Sequence, residues 1–139
     1  MATQQTIAII GALEEEAKTA IASLTGSGYR LLLFCKEEQL STLSSFASGK
    51  QFEGIDLEWM SCPIEASWEA DLILLSVPGN EVAEVAAAIR DVAIGKPVVD
   101  IRKDGTELSE LQTLLPYSSI GNAVPDSILS SIKKFLNQH

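Results

Sequence analysis

The chain has 139 residues, 46% of them apolar and 21% charged, which is the length of one ordinary domain with enough hydrophobic mass for a core. Its formal net charge of −9 argues against nucleic acid and against an anionic membrane surface, because both need clustered Lys and Arg. No apolar run is long enough to span a bilayer, and MATQQ at the start carries no basic stretch, so a cytoplasmic protein without a secretory signal is expected. Cys35 and Cys62 stand in no CxxC or zinc-type spacing and read as free thiols of a reducing compartment, with a disulfide left open. The single histidine is the last residue, His139, which removes His-based triads and most catalytic zinc sites; no metal is expected.

TIAIIG (6–11) reads as a buried strand ending in a glycine. Leu13, Ala17, Ala20, Ile21 and Leu24 recur at helical spacing over 13–25, and GSGY (26–29) stops that helix. YRLLLF (29–34) is a second strand, and 37–48 a helix with Leu40, Leu43 and Phe46 on one side. GKQFEG is a loop before IDLEWM (55–60), whose alternation suits a half-exposed strand near an edge. CPIEASWEA (62–70) is a turn or a short helix. DLILLSV (71–77) is the most apolar strand and the expected centre of the sheet, broken by Pro78-Gly79-Asn80. Residues 81–93 place Val82, Val85, Ala86, Ile89 and Val92 on one helical stripe. PVVDIR (97–102) is a strand, 107–115 a short Leu-rich helix stopped by Pro116, and SSIGNAV (118–124) a last strand. Pro125 and Asp126 open a terminal helix with Ile128, Leu129, Ile132, Phe135 and Leu136 inward, and Lys133 and Lys134 suit its C-terminal dipole.

Strand–helix alternation of this kind predicts a parallel sheet covered on both faces, in the order 3-2-1-4-5-6, with a ligand crevice at the carboxyl ends of strands 1 and 4. There is no internal repeat, low-complexity tract or linker, so residues 1–139 form one domain.

TIAIIGA, GSGYRLLLF, WEADLILLSVP, EVAEVAAAIRDVAIGKPVVDI and ELQTLLPYSSIGNAV, in that order and spacing, resemble the NADP-binding Rossmann domain of coenzyme F420-dependent NADP oxidoreductases over residues 6–125. The resemblance implies a three-layer Rossmann-type α/β fold with a mostly parallel sheet, NADP as cofactor, and a binding set of Gly11, Ala12, Leu13, Cys35, Lys36, Val77, Pro78 and Asp100. The family's first fingerprint glycine falls on Gly11, its second on Leu13 and its third on Glu16; Ala17 lies one place beyond the third. Lys36 stands where the family reads the extra phosphate of NADP, and Cys35 where an NAD-preferring relative carries an acid. Val77-Pro78 matches the segment bordering the cofactor, Asp100 the acid near the end of strand 5, and the family's Asn near strand 6 falls on Pro125. Family chains continue well beyond this point to complete the hydride-partner pocket, whereas only about fourteen residues follow Pro125 here.

Two readings of the altered turn compete. Leu13 puts a branched side chain into the approach of a pyrophosphate, and Glu14, Glu15 and Glu16 oppose its charge. The same carboxylates suit the first turn of a helix with no ligand, where they cap exposed N–H groups. A cationic ligand or a metal on the Glu cluster is a third reading, the metal disfavoured because consecutive helical residues point apart.

Elsewhere, Cys35 beside Lys36 has a redox or nucleophilic reading, through a thiol pKa lowered by the lysine, set against that of a small semi-buried residue. Trp59 and Trp68 either close an end of the core or form an interface patch. Asp100 and Asn122 either line the crevice or form turns, and Asp71 reads as a helix or loop cap.

The functional expectation is a non-catalytic Rossmann module with impaired nucleotide binding, acting through protein contacts or as a regulator. The alternative is a small NADP-binding oxidoreductase completed by homodimerisation. The first implies no enzyme activity and a protein partner; the second implies a homodimer.

Overall fold

A computed structural model describes residues 4–49, 56–60, 62–101 and 108–137. Six strands, β1 (Thr6–Ile10), β2 (Arg30–Phe34), β3 (Leu57–Met60), β4 (Leu72–Leu75), β5 (Pro97–Asp100) and β6 (Ser119–Asn122), form one sheet in the order 3-2-1-4-5-6. Every neighbouring pair is parallel. This is the Rossmann-type order expected from the alternation of elements.

β1 and β4, at the centre, are buried along their whole length, as strands covered on both faces must be. Their alternate side chains feed two cores. Ile7, Ile9, Leu72 and Leu74 meet α1 (Glu15–Leu24), α2 (Leu40–Ala47) and α6 (Ile128–Leu136) through residues such as Ile21, Leu43 and Ile132. Ala8, Ile10, Ile73 and Leu75 meet α3 (Pro63–Glu69), α4 (Val82–Ile89) and α5 (Leu108–Leu114) through Ala66, Ala86 and Leu111. Each fully buried Leu or Ile contributes about 1.5–3 kcal/mol by leaving water. β3 is half-exposed at one edge, as its alternation implied.

α2 and α6 begin three residues inside the expected limits and α4 one, because a single turn of 3-10 helix precedes each. Residues 62–70 resolve into the helix α3, with Pro63 in its first turn, where a missing N–H costs nothing. The GKQFEG loop, the expected start of strand 3 at Ile55, the last residue of strand 5 at Arg102 and the helix start at Glu107 lie wholly or partly outside the described residues.

Three sequence readings are corrected. Trp59 and Trp68 do not close the core; they are 44% and 70% exposed. Asp71 caps no helix. Its carboxylate accepts the Thr6 N–H at 2.8 Å while its own N–H donates to the Thr6 carbonyl at 2.8 Å, pinning the start of β4 to the start of β1. Nor does Lys36 depress the Cys35 thiol: burial, reinforced by Glu38, pushes that thiol up.

Lys96, just before β5, is a further fixed point at the amino ends of the strands. Its ammonium donates to the carbonyls of Ser67 and Trp68, both at 2.7 Å, and so caps the C-terminus of α3. Burial pushes this ammonium down from its ordinary value, and Asp71 opposes that shift.

Candidate functional site

A cleft of about 310 Å³ opens at the carboxyl ends of β1, β2 and β4, where the strand order reverses. Three connections build it. The turn after β1 supplies Gly11, Leu13 and Glu14; the segment after β2 supplies Cys35, Lys36 and Gln39; the segment after β4 and α4 supply Val77, Pro78, Glu81 and Glu84.

Gly11 is fixed by its neighbours' main chains. Its N–H and that of Ala12 both donate to the Phe34 carbonyl, at 3.0 and 2.9 Å, which ties the turn to β2. On its other side, a Cβ at position 11 would sit 2.8 Å from the Val77 nitrogen and 2.9 Å from the Ser76 carbonyl carbon. Its φ of +91° is also one that side chains resist. Glycine is therefore required here whether or not anything binds.

Glu14 is the N-cap residue of α1, in extended conformation, and makes no side-chain capping hydrogen bond. The expectation that it caps the helix is thus corrected: a Glu side chain is longer than the Ser, Thr, Asp and Asn side chains that serve well at this position. Glu15 and Glu16 lie in the first turn, where their charge suits the dipole. Of the three, Glu14 lines the cleft.

Lys36 crosses the cleft mouth. Its Nζ lies 2.7 Å from Oε1 of Glu81, and this hydrogen bond is the main reason its pKa is raised; the charges of Glu81, Glu38 and Glu84 act in the same direction. Glu81 was not singled out in the sequence. Its one signal was its position three residues after Pro78, in the segment that breaks strand 4.

Of the residues implied by resemblance, the fold brings Gly11, Leu13, Cys35, Lys36, Val77 and Pro78 to the cleft, and leaves Ala12 and Asp100 off its lining. Ala12 is fully buried beneath α1. Asp100 is buried at the end of β5, in register with Leu75 and Asn122. Cys35 borders the cleft, but its thiol is in the core and donates to the Lys36 carbonyl at 3.4 Å. Cys35 and Cys62 are both free thiols. Apolar walls come from Leu13, Phe34, Pro63, Val85 and Ala88.

Among the described residues no group of three His, Cys, Asp or Glu side chains is arranged to hold a metal ion. None of their helices is long and apolar enough to cross a membrane.

No family model matches the chain, and no curated protein matches it. Solved structures do. A conserved hypothetical protein of Sinorhizobium meliloti 1021 superposes on 99% of this chain with a TM-score of 0.65 at 18% identity. A pyrroline carboxylate reductase of Plasmodium falciparum with NADP bound matches 80% of it, with a TM-score of 0.59 at 15% identity. A protein of Arthrobacter sp. FB24 described as an F420-dependent NADP reductase matches 82%, with a TM-score of 0.61 at 17% identity. The chain spans 52%, 38% and 59% of those three proteins. At these identities the likeness is one of fold: this chain has the Rossmann-type architecture that NAD(P)-dependent reductases share.

Proposed function

We propose that this chain is a Rossmann-type module that does not carry a dinucleotide for hydride transfer, and that it acts through contacts with other proteins or as a regulator. The observation that carries this reading is the Lys36–Glu81 pair. The lysine in the position that reads the NADP phosphate is held at 2.7 Å by a carboxylate across the cleft. Leu13 and Glu14 line the cleft beside it, where a phosphate needs bare backbone. Magnitudes favour exclusion. A helix N-terminus gives a nearby anion about 0.3–1 kcal/mol. Like unit charges about 5 Å apart in a partly wet site repel by about 3 kcal/mol, and Glu14, Glu81 and Glu84 all face the cleft.

Calorimetric titration with NADP⁺, NADPH and NAD⁺ tests this. No heat at millimolar cofactor is the expected result; binding near micromolar overturns it.

The second reading, an NADP-dependent oxidoreductase completed by a homodimer, is favoured by the position of the cleft at the strand-order reversal and by the NADP bound in a protein of the same fold. It requires both cofactor binding and a dimer. Light scattering that gives a monomer at working concentration removes it.

A further inference from the structure

The cleft is a concave, mostly apolar cavity whose charged groups are mostly negative. Phe34, Pro63, Val77, Val85 and Ala88 make its walls. Three carboxylates reach it from two segments, Glu14 from the turn after β1 and Glu81 and Glu84 from the start of α4, against one cation among the described residues, Lys36. That cation is the chain's own: an ammonium docked on Glu81 at 2.7 Å, within the field of Glu84 and Glu38 as well. An ammonium is therefore already seated in this cleft, supplied by a long, flexible side chain that is half-exposed and able to swing into water. With Lys36 paired to Glu81, the charges of Glu14 and Glu84 remain. Low-dielectric walls focus such a field and concentrate ions of opposite sign.

We propose that this cleft binds a small organic cation, a primary ammonium or amidinium group on an aliphatic or aromatic body, as the effector of a regulatory module. The charged head takes the place of the Lys36 ammonium beside Glu81 and within the field of Glu84, and the body lies against Phe34, Val77 and Val85. A cleft of about 310 Å³ lies within the size range of small-molecule sites. The inference rests on the reading of the cleft as closed to dinucleotides.

The test is a calorimetric titration of the full chain with benzylammonium chloride, with benzyl alcohol as its neutral isostere, and with NADPH in a separate arm. Benzylammonium is expected to bind at least about tenfold more tightly than the alcohol, and to weaken in high salt as surface electrostatics are screened. Glu84→Gln, an exposed helical position, should weaken the cation about three- to tenfold, and Lys36→Met should tighten it about threefold by removing the competing ammonium. Circular dichroism confirms that both variants are folded. Equal binding of cation and alcohol, or a cation affinity that neither variant moves, overturns the inference. Absence of binding by both cation and NADPH overturns it while leaving the dinucleotide-free reading standing. Micromolar NADPH binding overturns both.

Discussion

The Nζ of Lys36 and the Oε1 of Glu81 lie 2.7 Å apart, joining the segment after β2 to the one after β4 across the mouth of the cleft. Forty-five positions separate them in sequence (81 − 36), so neither residue's neighbours announce the other. The pair turns Lys36, the one cation lining the cleft among the described residues, into an occupied group.

If carboxylates and Leu13 keep dinucleotides out, undoing them should let one in. The triple variant Leu13→Gly, Glu14→Ser, Glu81→Gln removes two charges and the branched side chain, and frees the Lys36 ammonium. NADP⁺ affinity should rise at least about tenfold, and more than that of NAD⁺, as measured by calorimetry. Glu14→Ser alone should raise stability by about 1 kcal/mol in urea unfolding, because Ser supplies the capping hydrogen bond that Glu14 does not make. An unchanged NADP⁺ affinity in the triple variant would place the obstacle elsewhere.

Gly11→Ala should destabilise the fold by about 2–4 kcal/mol. It adds a methyl group against the main chain of Ser76 and Val77 to the cost of a left-handed φ. Denaturant unfolding reads this directly, with no nucleotide present.

Lys96→Met should cost about 1–3 kcal/mol in the same assay. It removes two charge-assisted hydrogen bonds to the last carbonyls of α3 while keeping most of the aliphatic packing. Lys96→Arg should recover only part of this, since a planar fork does not reproduce the two bonds of a single ammonium.

Cys35 should make stability depend on alkaline pH. Burial favours its neutral thiol, so the folded pKa is above the unfolded one. Over the interval between the two values the folded state binds more protons, and stability falls as the pH rises. The stabilisation is complete below the ordinary thiol value and is lost as the pH climbs through the folded one. Lys96, whose pKa is lowered, works in the opposite sense in alkali. The readout is therefore the difference between wild type and Cys35→Ala, which should shrink from pH 8 upward. In the native protein at mildly alkaline pH, the half-exposed Cys62 should react with a thiol reagent well before Cys35.

The sheet was legible from sequence because its signal is local. Ile-, Leu- and Val-rich runs of four or five residues, each followed by a 3.6-residue stripe, leave little choice but parallel strands with crossover helices. Gly11 was legible for the same reason, as a glycine at a strand end. What could not be read was set by contacts between distant segments. Lys36 was assigned from the residues around it, and Glu81, which engages it, comes from another loop. Asp71 looked like a cap because Asp often is one, but its partner is Thr6, on the neighbouring strand. Cys35 stood beside a lysine in sequence, yet its side chain turns away into the core. Trp59 and Trp68 have the bulk of core residues, and the edge strand and short helix that carry them leave those faces in water.

The close fit of Gly11 between two strands also bears on how such a turn can change over evolutionary time. The constraint at position 11 comes from the Phe34 carbonyl at the end of β2 on one side and the Ser76–Val77 main chain just beyond β4 on the other. Positions 13 and 14 line the cleft, and no main chain presses on them as it does on position 11. Mutation can therefore rewrite the chemistry of the turn at those two places while selection for folding alone preserves the glycine. A surviving first glycine is a record of architecture, and the ligand's record lies in the residues that follow.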